Sequence, residues 1–203
     1  MMQTAALIAW ELSCRRGDRW LFHGLDLRLE QGEALHLTGP NGAGKTSLMR
    51  MLAGLLRPSP SLSPRDPAKA GSIAWEGTIA LADERPALDP AQPLGKALAF
   101  WRGIDGPRDL PLERLGLDTL LDVPVRYLST GQKKRAALAR LIGQNAQNWL
   151  LDEPLNGLDV AGVALIEELV AEHCAQGGSA IVTSHQPIRL PGEKRLNIAD
   201  YAL

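Results

Sequence analysis

Four short stretches of the chain carry residue types suited to phosphate chemistry. In "GPNGAGKTS", Gly39, Gly44, Lys45 and Thr46 fit the pattern G-x-x-x-x-G-K-[ST]. Its glycines let backbone N–H groups curl inward, Lys45 adds a point charge, and the Thr46 hydroxyl suits Mg²⁺. Gly39, Pro40, Asn41, Gly42, Ala43, Gly44, Lys45, Thr46 and Ser47 are therefore expected to cradle the β- and γ-phosphates of a nucleotide at a helix N-terminus. "NWLLDEP" sets two carboxylates side by side. Asp152 is placed to hold Mg²⁺ through water, and Glu153 to polarise a water for attack on the γ-phosphorus, a general-base contribution of roughly 10²- to 10⁴-fold. His185, in "VTSHQP", is expected to donate a hydrogen bond to the γ-phosphate and to help orient Glu153 and the water. The last stretch is "LSTGQ", Leu128 to Gln132, whose small and polar residues open a basic helix where no turn or packing need asks for them.

These residues need a scaffold that brings them to one edge. "QGEALHLTG" gives a buried strand over 34–38 directly before the glycine-rich loop, and Leu48, Leu52 and Leu55 lie on one face of a helix starting near Lys45. Trp149-Leu150-Leu151 reads as a second buried strand ending at Asp152, and "SAIVTS" as a third ending near His185. Strands alternating with helices imply a mainly parallel sheet covered on both faces, whose ligands collect at the C-terminal strand ends. Segments 5–12 and 25–30 predict an antiparallel β layer joined by a turn at Arg15-Arg16-Gly17-Asp18. "RPSPSLSPRDPAKAG" is a surface loop, followed by short strands at 73–75 and 79–81 and, at the other end, one near 196–199. From 86 to 145, "PLGKALAFW", "LERLGLDTLL" and "GQKKRAALARLIG" show helical spacing without strand signals, and 160–176 predicts another helix. The expected fold is an α/β P-loop NTPase, one domain in which 1–85 and 146–203 form the core and 86–145 a helical subdomain.

Composition removes competing chemistries. A chain of 203 residues with 45% hydrophobic content buries one substantial core, and a formal net charge of −1 provides no field for nucleic acid or an anionic surface. Lys133, Lys134, Arg135 and Arg140 read as a solvated helix face rather than a nucleic-acid surface. Cys14 and Cys174 lack partners at ligand spacing, and the four histidines are scattered, so neither a zinc cage nor a disulfide framework is indicated. No apolar run reaches the roughly eighteen residues needed to cross a bilayer, and the first residues show no basic leader. Membrane contact is expected to go through a partner.

"LSTGQ" after a helical segment, about twenty residues before Asp152, resembles the signature motif of the ATP-binding-cassette (ABC) ATPases, usually Leu-Ser-Gly-Gly-Gln. The resemblance covers nearly the whole chain and runs through all four motifs in order. It implies a head-to-tail homodimer in which Ser129, Gly131 and Gln132 of one subunit bind the γ-phosphate of ATP held by the other's P-loop. "LNGLD", with Asp159, looks like the D-loop linking the two sites. The chain departs from the family pattern at three places. Thr130 replaces the first signature glycine. Arg16 falls where an adenine-stacking aromatic is usual, leaving its guanidinium or Trp20 to meet the base. Glu84, in "DERP", stands at the place of the Mg²⁺-touching glutamine that senses the membrane subunit. "GPNGAGKTSLMRMLAGLLRP", "RYLSTGQKKRAALARL" and "QGGSAIVTSHQP" further resemble ATP-binding subunits of the haem exporters of cytochrome c biogenesis. That likeness implies ATP-driven haem export or release of a haem-loaded chaperone, membrane-spanning partner subunits, and a peripheral position on the cytoplasmic face of a bacterial inner membrane. Another ABC importer or exporter, or a soluble ABC-type regulatory ATPase, carries the same four motifs.

Overall fold

The computed structural model describes residues 5–62, 65–66, 69–83 and 86–203. Two sheets share one interior. Strands β1 (Ala5–Arg16), β2 (Arg19–Glu30) and β4 (Ser72–Trp75) form an antiparallel sheet in the order β2-β1-β4. Strands β3 (Ala34–Thr38), β5 (Ile79–Ala82), β6 (Asn148–Leu151), β7 (Ser179–Thr183) and β8 (Lys194–Asn197) form a wholly parallel sheet in the order β5-β6-β7-β3-β8. The central strands β6 and β7 are buried at every position, as expected for a sheet covered on both faces.

Period-two alternation distributes these strands between two apolar clusters. Leu35, Leu37, Leu150 and Ile181 face the antiparallel layer and helix α1 (Lys45–Leu52), meeting Leu7, Phe22, Leu25, Leu48 and Met49. Trp149, Leu151, Ala180 and Val182 face the opposite way, toward α2 (Leu94–Asp105), α3 (Thr130–Gly143) and α4 (Val160–Ala175), meeting Leu98, Leu138, Ile166 and Val170. Each fully buried Leu or Val contributes about 1.5–3 kcal/mol relative to exposure. A one-residue slip in β6 would exchange its two faces and turn Asp152 and Glu153 away from the strand-end crevice.

Several elements differ in detail from their sequence pattern. The β1–β2 turn needs only Gly17 and Asp18, with Gly17 at φ 58, so both strands run longer than the apolar alternation suggests. Helix α1 stops at Leu52, and Leu55 is 69% exposed beyond it, because the Gly54 backbone at φ 74 turns the chain. "LERLGLDTLL" forms turns and one short 3-10 segment at Asp118–Leu120 rather than an α-helix; Pro111 and Gly116 (φ 60) break the run. The basic residues of α3 are not a solvated face. Lys133 donates to the Arg126 carbonyl, Lys134 to the Glu153 carbonyl, and the half-buried Arg140 stacks 3.8 Å from the Trp101 ring centre.

Candidate active site

Because β3, β6 and β7 are parallel neighbours, their C-terminal ends open on one edge, and each delivers one of the motifs there. The loop from Gly39 to Gly44 leaves β3 and becomes the N-terminus of α1. Gly39 (φ 139), Gly42 (φ 75) and Gly44 (φ 109) occupy backbone conformations that L side chains rarely adopt. A Cβ on Gly39 would meet Ile198 Cγ2 at 2.6 Å, and one on Gly44 would meet Phe22 Cδ1 at 3.0 Å. The loop is therefore pressed against β2 and the Ile198 segment, a cradle that closes if those two glycines are filled. Asn41, Gly42, Gly44, Lys45, Thr46, Ser47, Glu153, Asn156 and His185 line a cleft of about 460 Å³.

Lys45 is 7% exposed. Its Nζ donates to the Gly39 carbonyl at 2.9 Å and to the Pro40 carbonyl at 3.4 Å, and lies 3.0 Å from His185 Nε2 and 3.8 Å from Glu153 Oε1. The cation is held against the loop it opens, where it can reach a phosphate at the helix N-terminus. Asp152 is 4% exposed and its Oδ1 accepts from Thr183 Oγ1 at 2.8 Å. The same Thr183 Oγ1 accepts from the Glu153 N–H at 2.7 Å, so one hydroxyl at the end of β7 bridges the two acidic residues at the end of β6.

Glu153 sits at φ 49, left-handed backbone that costs a non-glycine residue about 1–2 kcal/mol. Its carboxylate is buried and neither oxygen accepts an aligned hydrogen bond, although Oε1 lies 3.2 Å from His185 Nε2. A buried carboxylate left this way in the lining of a cleft is available to a water or a ligand hydroxyl. His185 is 39% exposed and faces both Lys45 and Glu153. Thr46 is exposed at the mouth of the cleft. Among the described residues no group of three or more His, Cys, Asp or Glu could hold a metal ion. The donors here are one hydroxyl and one carboxylate, a set that suits a cation which retains water and shares substrate phosphates.

The sequence-derived residues divide into three sets. Gly39 to Ser47, Asp152, Glu153 and His185 come together. Ser129, Gly131 and Gln132 form a separate site on α3: Ser129 Oγ accepts from Gln132 N at 3.2 Å while Ser129 N donates to Gln132 Oε1 at 2.8 Å, a reciprocal capping box. With Thr130, Gly157 and Asp159, Ser129 and Gly131 line a second cleft of about 810 Å³. Thr130 packs against Gly157, where a Cβ would lie 3.0 Å from Thr130 Cγ2, so the threonine in place of the usual signature glycine is accommodated by a glycine across the cleft. Asp159 caps α4, accepting from Gly162 N at 2.8 Å.

Of the third set, Arg16 and Trp20 line neither cleft. Arg16 is exposed at the tip of the β1–β2 hairpin and does not line the cleft; its side chain and that of Ser47 both face the buried Cys14 thiol, whose pKa burial raises. Trp20 packs edge-on against His23 with ring centres 5.7 Å apart. Glu84 lies outside the described residues. Sequence reasoning misses Thr183 and the contact of Lys134 with Glu153. A hydroxyl ending the buried strand "SAIVT" needs a partner, and that is the available signal for Thr183.

Comparison with known proteins bears on the family and the fold. Residues 22–156 match the ABC transporter family. The chain is 52% identical over 98% of its length to the cytochrome c biogenesis ATP-binding export protein CcmA of Novosphingobium aromaticivorans, covering 99% of that protein. It is 44% identical to the protein of the same name from Zymomonas mobilis, covering 97% of this chain and 86% of the relative. Among solved structures it superposes on an inward-facing putative metal-chelate type ABC transporter with TM-score 0.77 at 24% identity, covering 96% of this chain and 80% of that one, a likeness of fold. It also superposes on cbiO1 from Clostridium perfringens, part of the ABC transporter complex cbiONQ, with TM-score 0.69 at 27% identity over 90% of this chain and 79% of that one.

Proposed function

This chain belongs to the ABC transporter family, and from that premise we propose that it is the ATP-hydrolysing subunit of a haem exporter of cytochrome c biogenesis. The observation that carries the hydrolytic part is the convergence of Lys45, Glu153 and His185 at the mouth of the glycine cradle. The Glu153 carboxylate accepts no aligned hydrogen bond, with Oε1 3.2 Å from His185 Nε2 and 3.8 Å from Lys45 Nζ. The export assignment is supported by the near full-length likeness to ATP-binding export proteins of cytochrome c biogenesis.

In this reading the backbone N–H groups of 39–47 and Lys45 bind the β- and γ-phosphates, and Ser47 completes the first turn of the cradle. Thr46 and Asp152 would hold Mg²⁺, with Glu84 proposed as a further ligand that senses the membrane partner. Bound there, Mg²⁺ would supply positive charge that offsets the negative charge of the phosphates. Glu153 accepts a proton from the attacking water, and His185 donates to the γ-phosphate and keeps Glu153 in line. Arg16, at the hairpin tip, reaches the base side of the site only by turning its side chain away from Cys14. Ser129, Gly131 and Gln132 present a helix N-terminus to the nucleotide of a second copy, so the working unit is a homodimer. Its 86–145 helical subdomain carries that surface. Among the described residues no helix is long and apolar enough to cross a membrane. Association with the cytoplasmic face of the inner membrane then goes through membrane-spanning subunits.

Replacing Glu153 with Gln in the complex purified through a tag on this chain tests the reading. ATP binding should persist, hydrolysis should fall by about 10²- to 10⁴-fold, and cells carrying the variant should lack haem-loaded c-type cytochromes. Normal hydrolysis would remove Glu153 from its role. Normal cytochrome maturation with hydrolysis abolished would overturn the export assignment.

A further inference from the structure

Glu153 is held by its backbone from two directions. Its N–H donates to Thr183 Oγ1 at 2.7 Å, and its carbonyl accepts from Lys134 Nζ at 2.8 Å. Thr183 belongs to β7 in the core, whereas Lys134 belongs to α3, the helix that Ser129 caps. Lys134 lies five residues beyond Ser129, about 7.5 Å along the helix axis at 1.5 Å per residue. The residue held by these two bonds has left-handed backbone, φ 49, and its buried carboxylate faces His185 and Lys45.

A left-handed non-glycine residue persists only where its surroundings over-determine it. Here the N–H side is fixed by the core and the carbonyl side by a cation on another element, through a charge-assisted bond stronger than a neutral one. A shift of α3 along or about its axis would draw on that carbonyl and rotate the peptide that aims the carboxylate.

We propose that Lys134 is a positioning residue that ties the Ser129-bearing helix to the hydrolytic carboxylate of the same subunit, so that a ligand engaging the helix start sets the aim of Glu153. This rests on the hydrolytic reading above. In a dimer it gives each subunit a mechanical route from the nucleotide it touches through Ser129 to the nucleotide it holds itself. Lys134 touches no reacting atom in this scheme, so its loss should lower turnover and spare substrate binding.

The experiment measures steady-state ATP hydrolysis and ATP affinity of the tagged, membrane-extracted complex carrying Lys134→Met, which keeps the length of the side chain and removes the donor. The expected result is a kcat about tenfold lower with KM and ATP affinity within about twofold of wild type. Lys134→Arg, which restores a cation, should recover most of that loss, and Lys134→Gln, with a shorter neutral donor, provides a second variant should the Met variant fail to fold. In a Glu153→Gln background, Lys134→Met should remove no further activity, because the group it aims is gone. An unchanged kcat in Lys134→Met, or a loss expressed in KM, overturns the proposal. Glu153→Gln measured alone separates the two failures: an inactive Glu153→Gln beside a fully active Lys134→Met removes only the link, whereas an active Glu153→Gln removes the hydrolytic reading beneath it.

Discussion

The glycine cradle and the Ser129 helix tip are both helix N-termini, yet they are built in opposite ways. At the cradle, buried polar groups converge: Lys45 and Glu153 are 7% and 8% exposed, and the Glu153 carboxylate makes no aligned hydrogen bond. At the tip, Ser129 and Gln132 satisfy each other in a capping box and stay near the surface, with Ser129 exposed. The first site keeps polar groups in need of a ligand, at a cost in stability that the surrounding sheet absorbs. The second is stable by itself and offers its remaining helix-start N–H groups and dipole to whatever docks on it. In the proposed reading the first site does the chemistry and the second closes on it.

Substitutions can break that contrast. The larger of two further effects is expected at the tip: Ser129→Arg places a long cation where the second copy's nucleotide should close, and hydrolysis should fall by about 10²-fold, comparable to loss of a catalytic-site donor. ATP affinity of the single chain should hold within about twofold, because the cradle is untouched. Full hydrolysis in this variant would show that the tip takes no part. A smaller effect sharpens the cradle side. Thr183→Val keeps the side-chain shape but strips the hydroxyl shared by the Glu153 N–H and Asp152 Oδ1. Leaving these buried groups unpartnered costs about 1–3 kcal/mol and should lower the melting temperature by about 5 °C, with turnover falling alongside. An unchanged melting temperature would mean that water replaces the hydroxyl and that Glu153 does not depend on it.

The two sites differ in how far sequence alone exposes them, and the reason is physical. The cradle glycines, Lys45, Asp152, Glu153 and His185 are legible because each comes directly after a buried apolar strand, and a parallel sheet gathers the C-terminal ends of its strands on one edge. The antiparallel layer is legible too, although β1 and β2 extend to Arg16 and from Arg19 because a two-residue turn suffices. Contacts between residues on different elements are not legible. In sequence Lys134 is one charge in a basic run, and only the packing of α3 beside the end of β6 turns it toward the Glu153 carbonyl. Helical spacing in "LERLGLDTLL" is overridden by Gly116 at φ 60, a local backbone choice that apolar periodicity does not register. Arg16 occupies the expected place in the chain, but its side chain faces Cys14 and does not line the cleft.

Sedimentation velocity of Glu153→Gln with and without ATP and Mg²⁺ tests most directly whether the cradle of one copy closes on the helix tip of another. With nucleotide, the species should shift from the 21.9 kDa single chain to twice that mass, and adding Ser129→Arg should abolish the shift. A hydrolysis-deficient, ATP-loaded chain that stays at the single-chain mass would contradict it.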